Sequence, residues 1–361
     1  MSGSARPPVV VGLSGGVDSA VAALLLRERG YPVQGLFMSN WSDEDDGYCT
    51  AAQDFQDARA VARELGIPLH RASFAAEYRA RVFEHFLAEH RAGRTPNPDV
   101  LCNREIKFGV ALHYVHRLGA AVFATGHYAR LRQGPAGVEL HKARDGAKDQ
   151  SYFLHAVDPT HLAQTLMPLG DLAKSEVRER ARRAGLPVFD KADSTGICFI
   201  GERPFRDFLA RFVADEPGPI ESPQGERLGT HRGLSFYTLG QREGLHIGGR
   251  RGHLEEPWYV GAKDARRNTL IVVQGHDHPL LYSEALTTGR FHWLVAPRRA
   301  PFRCAVKVRY RQADQAAVLE PLEDGTCRIG FERAQRAVTP GQYAVIYEGD
   351  QCLGGAVIEK I

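Results

Sequence analysis

The chain has 361 residues, too many for one ordinary domain and enough for two or three, each with its own core. Charged residues at 25% and hydrophobic ones at 43% are ordinary for a soluble globular protein, no apolar run approaches a membrane span, and Met1 to Pro8 lacks the apolar segment of a signal peptide, so a cytoplasmic protein is expected. A net charge of +3 is too small to make the whole surface a nucleic-acid footprint, and six cysteines without a Cys-x-x-Cys pair argue against a zinc ribbon, a locally carried iron–sulfur cluster or a disulfide framework.

The first informative string is Val9-Val10-Val11-Gly12-Leu13-Ser14-Gly15-Gly16-Val17-Asp18-Ser19, followed by the alanine and leucine run from Ala20 to Leu26. The β-branched burst predicts a buried parallel strand, the glycines a tight turn and the apolar run a helix. Without Cβ atoms, Gly15 and Gly16 let backbone N–H groups approach an anion; Ser14 and Ser19 add hydroxyls, and the helix dipole points its positive end at the same place. Asp18 falls in the first helical turn, where it either caps the helix or holds a hydrated cation. There is no Gly-Lys-Ser/Thr ending of a Walker loop and no Gly-x-Gly-x-x-Gly fingerprint. The string resembles the loop of the ATP pyrophosphatases, which cleave ATP between the α and β phosphates and pass AMP to an acceptor oxygen. A turn without a ligand is the bland alternative.

Next in the chain come a strand at Val33–Met38, a helix from Ala51 to Leu65, a strand at Ile67–Ala72 and a long helix from Ala76 to Ala92. The insertion Thr95-Pro96-Asn97-Pro98 leads into a helix through Leu118, and the strand Ala120–Ala124 ends at Thr125-Gly126-His127. Strands separated by helices predict a parallel sheet with right-handed crossovers, whose ligands collect at the carboxyl ends of the strands, where Ser14, Met38, Gly126 and His127 fall. Lys174 to Ala184 predicts a basic helix, with either a solvated face or an RNA contact. Beyond Pro204 turn signals cluster, and from Thr287 short alternating strands predict a small β-barrel. The expected division is 1–205, 206–280 and 281–361. Between Arg290 and Arg311 lie seven Lys or Arg residues and no acid, and the run Cys304–Arg311 predicts a strand with Lys307, Arg309 and Arg311 on one face.

The second informative string is Asn97-Pro98-Asp99-Val100-Leu101-Cys102-Asn103-Arg104-Glu105-Ile106-Lys107-Phe108. Asparagine before proline predicts a helix entry with Asn97 as cap and Pro98 at the first position. Asp99 and Cys102, three apart, then share a face near the positive end, which suits a thiolate beside a proton-moving carboxylate; a first-turn charge and a core thiol fit equally. Cys198, in Asp193-Ser194-Thr195-Gly196-Ile197-Cys198-Phe199-Ile200-Gly201, reads by itself as a buried thiol.

Taken together, these strings resemble the bacterial tRNA-specific 2-thiouridylases over nearly the whole length, with Ala124–Arg130, Lys148-Asp149-Gln150-Ser151-Tyr152-Phe153-Leu154 and Gly233–Arg242 adding to the match. The resemblance implies an α/β fold: an N-terminal parallel-sheet ATP-pyrophosphatase domain related to the adenine nucleotide alpha hydrolases, a small central domain and a C-terminal β-barrel. It also implies that Gly12, Leu13, Ser14, Gly15, Gly16, Val17, Asp18 and Ser19, with Met38 and Gly126, hold ATP. Cys102 matches the nucleophile, Cys198 the persulfide carrier, and Asp99 the acid/base. Asn97, Pro98 and Asp99 meet the target base, while His127, Lys148, Asp149, Gln150, Arg309, Tyr310 and Gln342 contact tRNA. Implied partners are ATP with Mg2+, a tRNA whose wobble uridine is extruded, and a persulfide donor protein; the chain is expected to be a monomer.

The chemistry explains why both halves are needed. The 2-oxygen of uracil is a hopeless leaving group until adenylation lets it depart as AMP, and sulfur must then be delivered to C2. Cys102 either frees hydrosulfide from the persulfide or resolves the intermediate by a disulfide with Cys198. Two other readings share part of the pattern: an ATP pyrophosphatase acting on a small acid, and a non-catalytic RNA-binding or nucleotide-sensing protein.

Overall fold

The computed structural model describes residues 6–41, 51–193, 205–214, 216–248 and 255–361. The valine burst forms β1 (Val9–Gly12), buried along its length. After it come α1 (Val17–Glu28), β2 (Val33–Ser39), α2 (Ala51–Glu64) and β3 (Leu69–Ser73). A helical run follows: α3 (Ala75–Tyr78), a π-turn at Arg79–Phe83 and α4 (Glu84–Arg91). A second run begins with α5 (Pro98–Leu101), winds as a π-helix over Cys102–Val110 and ends in α6 (Ala111–Arg117). Then come β4 (Val122–Ala124), the hairpin β5 (Ala129–Gly134) and β6 (Gly137–Lys142), α7 (Ser151–Leu154), α8 (Pro159–Leu162), β7 (Thr165–Leu166) and α9 (Lys174–Arg183).

Strands β3-β2-β1-β4-β7 make a five-stranded sheet in which every pairing is parallel, as the alternation of strand and helix predicts. Val10 belongs to one core and Val9 and Val11 to another, so β1 is covered on both faces, which is why its sequence is continuously apolar. Strand order reverses at β1, between β2 and β4, and the crevice at such a switch point lies beyond the carboxyl ends.

The central part is a four-stranded sheet ordered β10-β11-β8-β9, with β8 (Gly218–Glu221), β9 (Arg227–His231), β10 (Trp258–Asp264) and β11 (Thr269–Gln274). The last part holds β12 (Tyr282–Thr288), β13 (His292–Trp293), β14 (Phe302–Lys307), β15 (Gln315–Pro321), β16 (Cys327–Arg336), β17 (Tyr343–Glu348) and β18 (Gln351–Lys360). Pairing runs β12-β16-β15-β14-β17-β18 and closes through β12–β18, a six-stranded barrel. The β5–β6 hairpin, with no counterpart in the sequence reading, extends the barrel sheet at β18, where Gln351 pairs His141. The strand expected over Cys304–Arg311 is corrected: β14 stops at Lys307, and Arg311 adopts φ 64° in a turn, so the three cations do not share one strand face. Among the described residues no helix is long and apolar enough to cross a membrane.

Candidate active site

The glycine turn stands at the mouth of the switch-point crevice. Gly16 is the N-cap of α1 without a side-chain cap bond, and Gly15 adopts φ 80° against α2: a Cβ there would lie 2.3 Å from the Asp54 carbonyl oxygen. Ser19 Oγ accepts from the Ser14 N–H at 3.1 Å and donates to the Gly16 carbonyl at 3.0 Å, which locks the turn from inside. Met38 packs against Gly12 at the end of β1, and Gly126 packs against the first turn of α1. A Cβ on Gly12 would touch Met38 Cε at 3.3 Å, and one on Gly126 would lie 2.8 Å from both Asp18 C and Ser19 N.

Asp18 does not cap the helix. Its carboxylate accepts from Tyr128 Oη at 2.7 Å and from Lys174 Nζ at 2.7 and 2.8 Å. Lys174, at the start of α9, also lies 2.7 Å from Asp193, which bonds Lys148 at 2.7 Å and Arg178 at 2.9 Å. Burial pushes the Asp193 carboxyl up, but its bonds to Lys148 and Lys174 outweigh this and hold it down at about 2. On the other side of the turn, Lys191 donates to the Gly15 carbonyl at 3.1 Å and to Asp54 and Asp57 of α2 at 2.7 and 2.5 Å. The turn is therefore flanked on both sides by ion pairs, Lys174 with Asp18 and Asp193 and Lys191 with Asp54 and Asp57.

The helix carrying Cys102 approaches the cradle from the other face of the sheet. Asn97 caps it as expected: its Oδ1 accepts from the Asp99 N–H at 3.2 Å, and Pro98 opens the helix. Cys102 is fully buried within the apolar core, and Asp99 is half-buried. Phe108 of the same helix packs on Phe123 of β4 at 6.1 Å and on His127 at 5.7 Å, one residue beyond Gly126. One row of aromatic contacts thus links the thiol's helix to the nucleotide turn.

The segment entering this helix is a junction of all three parts. The Thr95 N–H donates to the Pro340 carbonyl at 3.0 Å, the Thr95 and Thr238 hydroxyls lie 3.2 Å apart, and Gln342 Nε2 donates to the Thr95 carbonyl at 2.8 Å.

Several residues expected to touch tRNA are engaged within the protein. His127 is buried, shares a 2.8 Å hydrogen bond with Thr125, and has its pKa well below the ordinary imidazole value because of burial and then Lys107. Asp149 accepts from Ala143 N–H and from the Ser151 N–H and hydroxyl. Gln150 Oε1 accepts from the Tyr128 N–H at 2.9 Å. Arg309 donates to the carbonyls of Leu239 and Ala337 and to the Thr339 hydroxyl oxygen. Tyr310 packs on Phe153 with ring centroids 4.4 Å apart. Cys198 lies outside the described residues.

Three family models together match most of the chain: a tRNA methyl transferase HUP domain over residues 7–202, a tRNA methyl transferase PRC-barrel domain over 206–274 and an aminomethyltransferase beta-barrel domain over 283–358. A protein of Chromohalobacter salexigens named tRNA-specific 2-thiouridylase MnmA is 58% identical over 98% of this chain and 92% of its own. Its namesake in Stutzerimonas stutzeri is 56% identical over 100% of this chain and 96% of its own, and that in Methylobacillus flagellatus 54% identical over 98% and 99%. The chain belongs to the tRNA-specific 2-thiouridylase family.

In this 2-thiouridylase family member the sequence reading passed over Lys174, Lys191 and Tyr128, which brace the turn. One signal was available: Lys174 opens a helix otherwise rich in arginine, in the place where a helix N-terminus meets a ligand crevice. Nothing local singled out Tyr128 or Lys191.

Proposed function

We propose that the chain uses ATP to adenylate the 2-oxygen of a tRNA wobble uridine and then replaces that oxygen with sulfur, releasing pyrophosphate and AMP. The observation that carries this reading is the glycine turn at the carboxyl end of β1, braced by Lys174 and Lys191, with the Asn97-capped helix of Asp99 and Cys102 packed through Phe108 on His127 next to Gly126.

The three regions, 1–205, 206–280 and 281–361, divide the work. The first holds the nucleotide on residues Gly12 to Ser19, with Met38 and Gly126 closing the turn. Backbone N–H groups and Lys174 neutralise charge on the departing pyrophosphate. Asp18 is one carboxylate already shared with an ammonium, so a magnesium ion fits here only when held mainly by the nucleotide's own phosphates; when bound it neutralises phosphate charge. The extruded uracil lies against Asn97, Pro98 and Asp99; its 2-oxygen forms a bond to the α-phosphorus, and Asp99 accepts the N3 proton.

The outer sulfur of a persulfide on Cys198, supplied by a donor protein, bonds to C2 as AMP leaves and is still joined to Cys198 Sγ. The Cys102 thiolate then attacks Cys198 Sγ and breaks that sulfur–sulfur bond, so 2-thiouridine departs and a Cys102–Cys198 disulfide remains for outside thiols to reduce; alternatively Cys102 attacks the persulfide earlier and frees hydrosulfide, leaving the same disulfide. His127, Lys148, Asp149, Gln150, Arg309, Tyr310 and Gln342 are proposed to bear on tRNA by shaping the surface it docks on, in a protein acting as a cytoplasmic monomer.

The test is incubation with unmodified tRNA, ATP, magnesium and a persulfide source, followed by nucleoside analysis. The expected product is 2-thiouridine with one AMP per sulfur. AMP without 2-thiouridine overturns the thiolation step, and loss of product in Cys102→Ser with AMP formation retained separates the two halves.

A further inference from the structure

Two of the cations expected along the barrel are engaged within the protein, Lys307 lying 3.4 Å from Asp149 and Arg309 bonding three protein oxygens, while Arg290, Arg299, Arg303 and Arg311 stay exposed. A tRNA is a polyanion whose affinity rests on phosphate neutralisation, and cations on the nucleotide domain can share that task.

A groove of about 520 Å³ opens beside the helix that carries Cys102. Arg104, Gly109 and His113 of that helical run line it together with Arg81 of the π-turn Arg79–Phe83. His161 near α8 and His292 of β13 line it as well, so the groove joins the nucleotide domain to the barrel. Its two acids already have partners. Glu105 accepts from Arg104 Nε at 2.8 Å and lies 3.9 Å from Arg81, while Asp158 caps α8, accepting from the Thr160 N–H at 2.7 Å and hydroxyl at 2.6 Å. Both arginines stay accessible, their side chains 52% and 46% exposed.

The winding of the helix supports a binding role. Cys102–Val110 is a π-helix, a form that recurs at functional sites, and it brings Gly109 so close to Arg104 that a Cβ would lie 2.9 Å from the Arg104 carbonyl oxygen. The groove lining thus stays without a side chain at Gly109.

We propose that this groove binds backbone phosphates of the tRNA substrate, with Arg81 and Arg104 as the phosphate ligands. Guanidinium forks match phosphate oxygens in pairs, the groove is far larger than one free phosphate, and it lies on the helix that carries Cys102. The inference rests on tRNA being the substrate.

The test is binding of full-length unmodified tRNA across a salt series to wild type, to Arg81→Gln/Arg104→Gln and to Glu105→Gln, with ATP binding and melting temperature followed in parallel. The double variant is expected to lose about tenfold in tRNA affinity, with the slope of log K against log salt shallower by about one to two, and ATP binding unchanged. Glu105→Gln, which removes the competing carboxylate, is expected to tighten tRNA binding. Unchanged affinity and slope in both variants overturn the proposal. A wild type that binds tRNA without forming 2-thiouridine sinks the thiolation reading instead, while the salt slopes still judge the groove.

Discussion

Gln342 Nε2 donates to the Thr95 carbonyl at 2.8 Å, so the barrel grips the chain two residues before the Asn97 cap. A turn of the same barrel closes on this point: Gly341, at φ 92°, leaves room for Thr95 backbone atoms that would lie 2.9 to 3.0 Å from a Cβ. Gln342→Glu keeps the shape but sets a carboxylate against a carbonyl. The expected result is a loss of about 1–2 kcal/mol in stability and a fall in thiolation rate larger than any change in the KM for ATP. An unaltered melting temperature with a reduced tRNA salt slope would instead make Gln342 a direct RNA ligand.

The nucleotide turn is packed to contact on two sides, and two glycines keep it so. Gly126→Ala places a methyl group 2.8 Å from the Asp18–Ser19 peptide, which is backbone and cannot swing aside. ATP affinity is expected to fall at least tenfold, on the order of 1–3 kcal/mol for overpacking, with the fold retained. Gly15→Ala faces both the Asp54 carbonyl at 2.3 Å and a φ of 80°, so it is expected to lower the melting temperature as well. Isothermal titration with ATP and thermal melts of both variants read these effects; wild-type affinity in Gly126→Ala would remove Gly126 from the cradle.

What the sequence shows and hides follows from the range of the interactions. Val9–Val11, Gly15 and the Asn97-Pro98 entry are local signals, since burial on both faces, positive φ and helix capping are each set by neighbours in the chain, and all three appear in the structure. The bracing of Asp18 by Tyr128 and Lys174 spans 110 and 156 residues, and no periodicity records it. The same holds for the β5–β6 hairpin, whose polar strands pair with a barrel more than two hundred residues away, and for Arg309, whose alternating pattern suits a solvated strand although its guanidinium is turned to carbonyl groups.

Arg309 therefore carries a prediction opposite in kind to one for a surface cation. Arg309→Ala leaves the Leu239 and Ala337 carbonyls and the Thr339 hydroxyl without this donor, at a junction between the central sheet and the barrel. A loss of about 2–3 kcal/mol is expected, read as an earlier denaturant midpoint, with tRNA affinity falling in step. If affinity drops while the midpoint holds, Arg309 acts on phosphate directly.

Buried imidazoles, His127 together with His90 and His155, set the acid limit of the fold. Burial in the core, stronger than the opposing bond to the Ser235 carbonyl, brings His90 down to about 4, and burial likewise brings His155 down to about 3. The unfolded chain takes up protons at these groups near pH 6.5, where the native state refuses them, so their contribution is complete above that pH. It is lost progressively as pH falls below about 6.5 and is gone by about 4 for His90 and about 3 for His155. Carboxylates such as Asp193 act only below about 4, so the interval from pH 7 to pH 5 isolates the imidazoles. Unfolding free energy is expected to fall across it by on the order of 3 kcal/mol for His90 and His155, with His127 adding to the fall, and the fall is expected to shrink in His90→Gln, whose amide can still donate to Ser235. Denaturant titrations at half-unit pH steps measure this, and a midpoint that stays level from pH 7 to pH 5 contradicts the assignment of these histidines as buried and neutral.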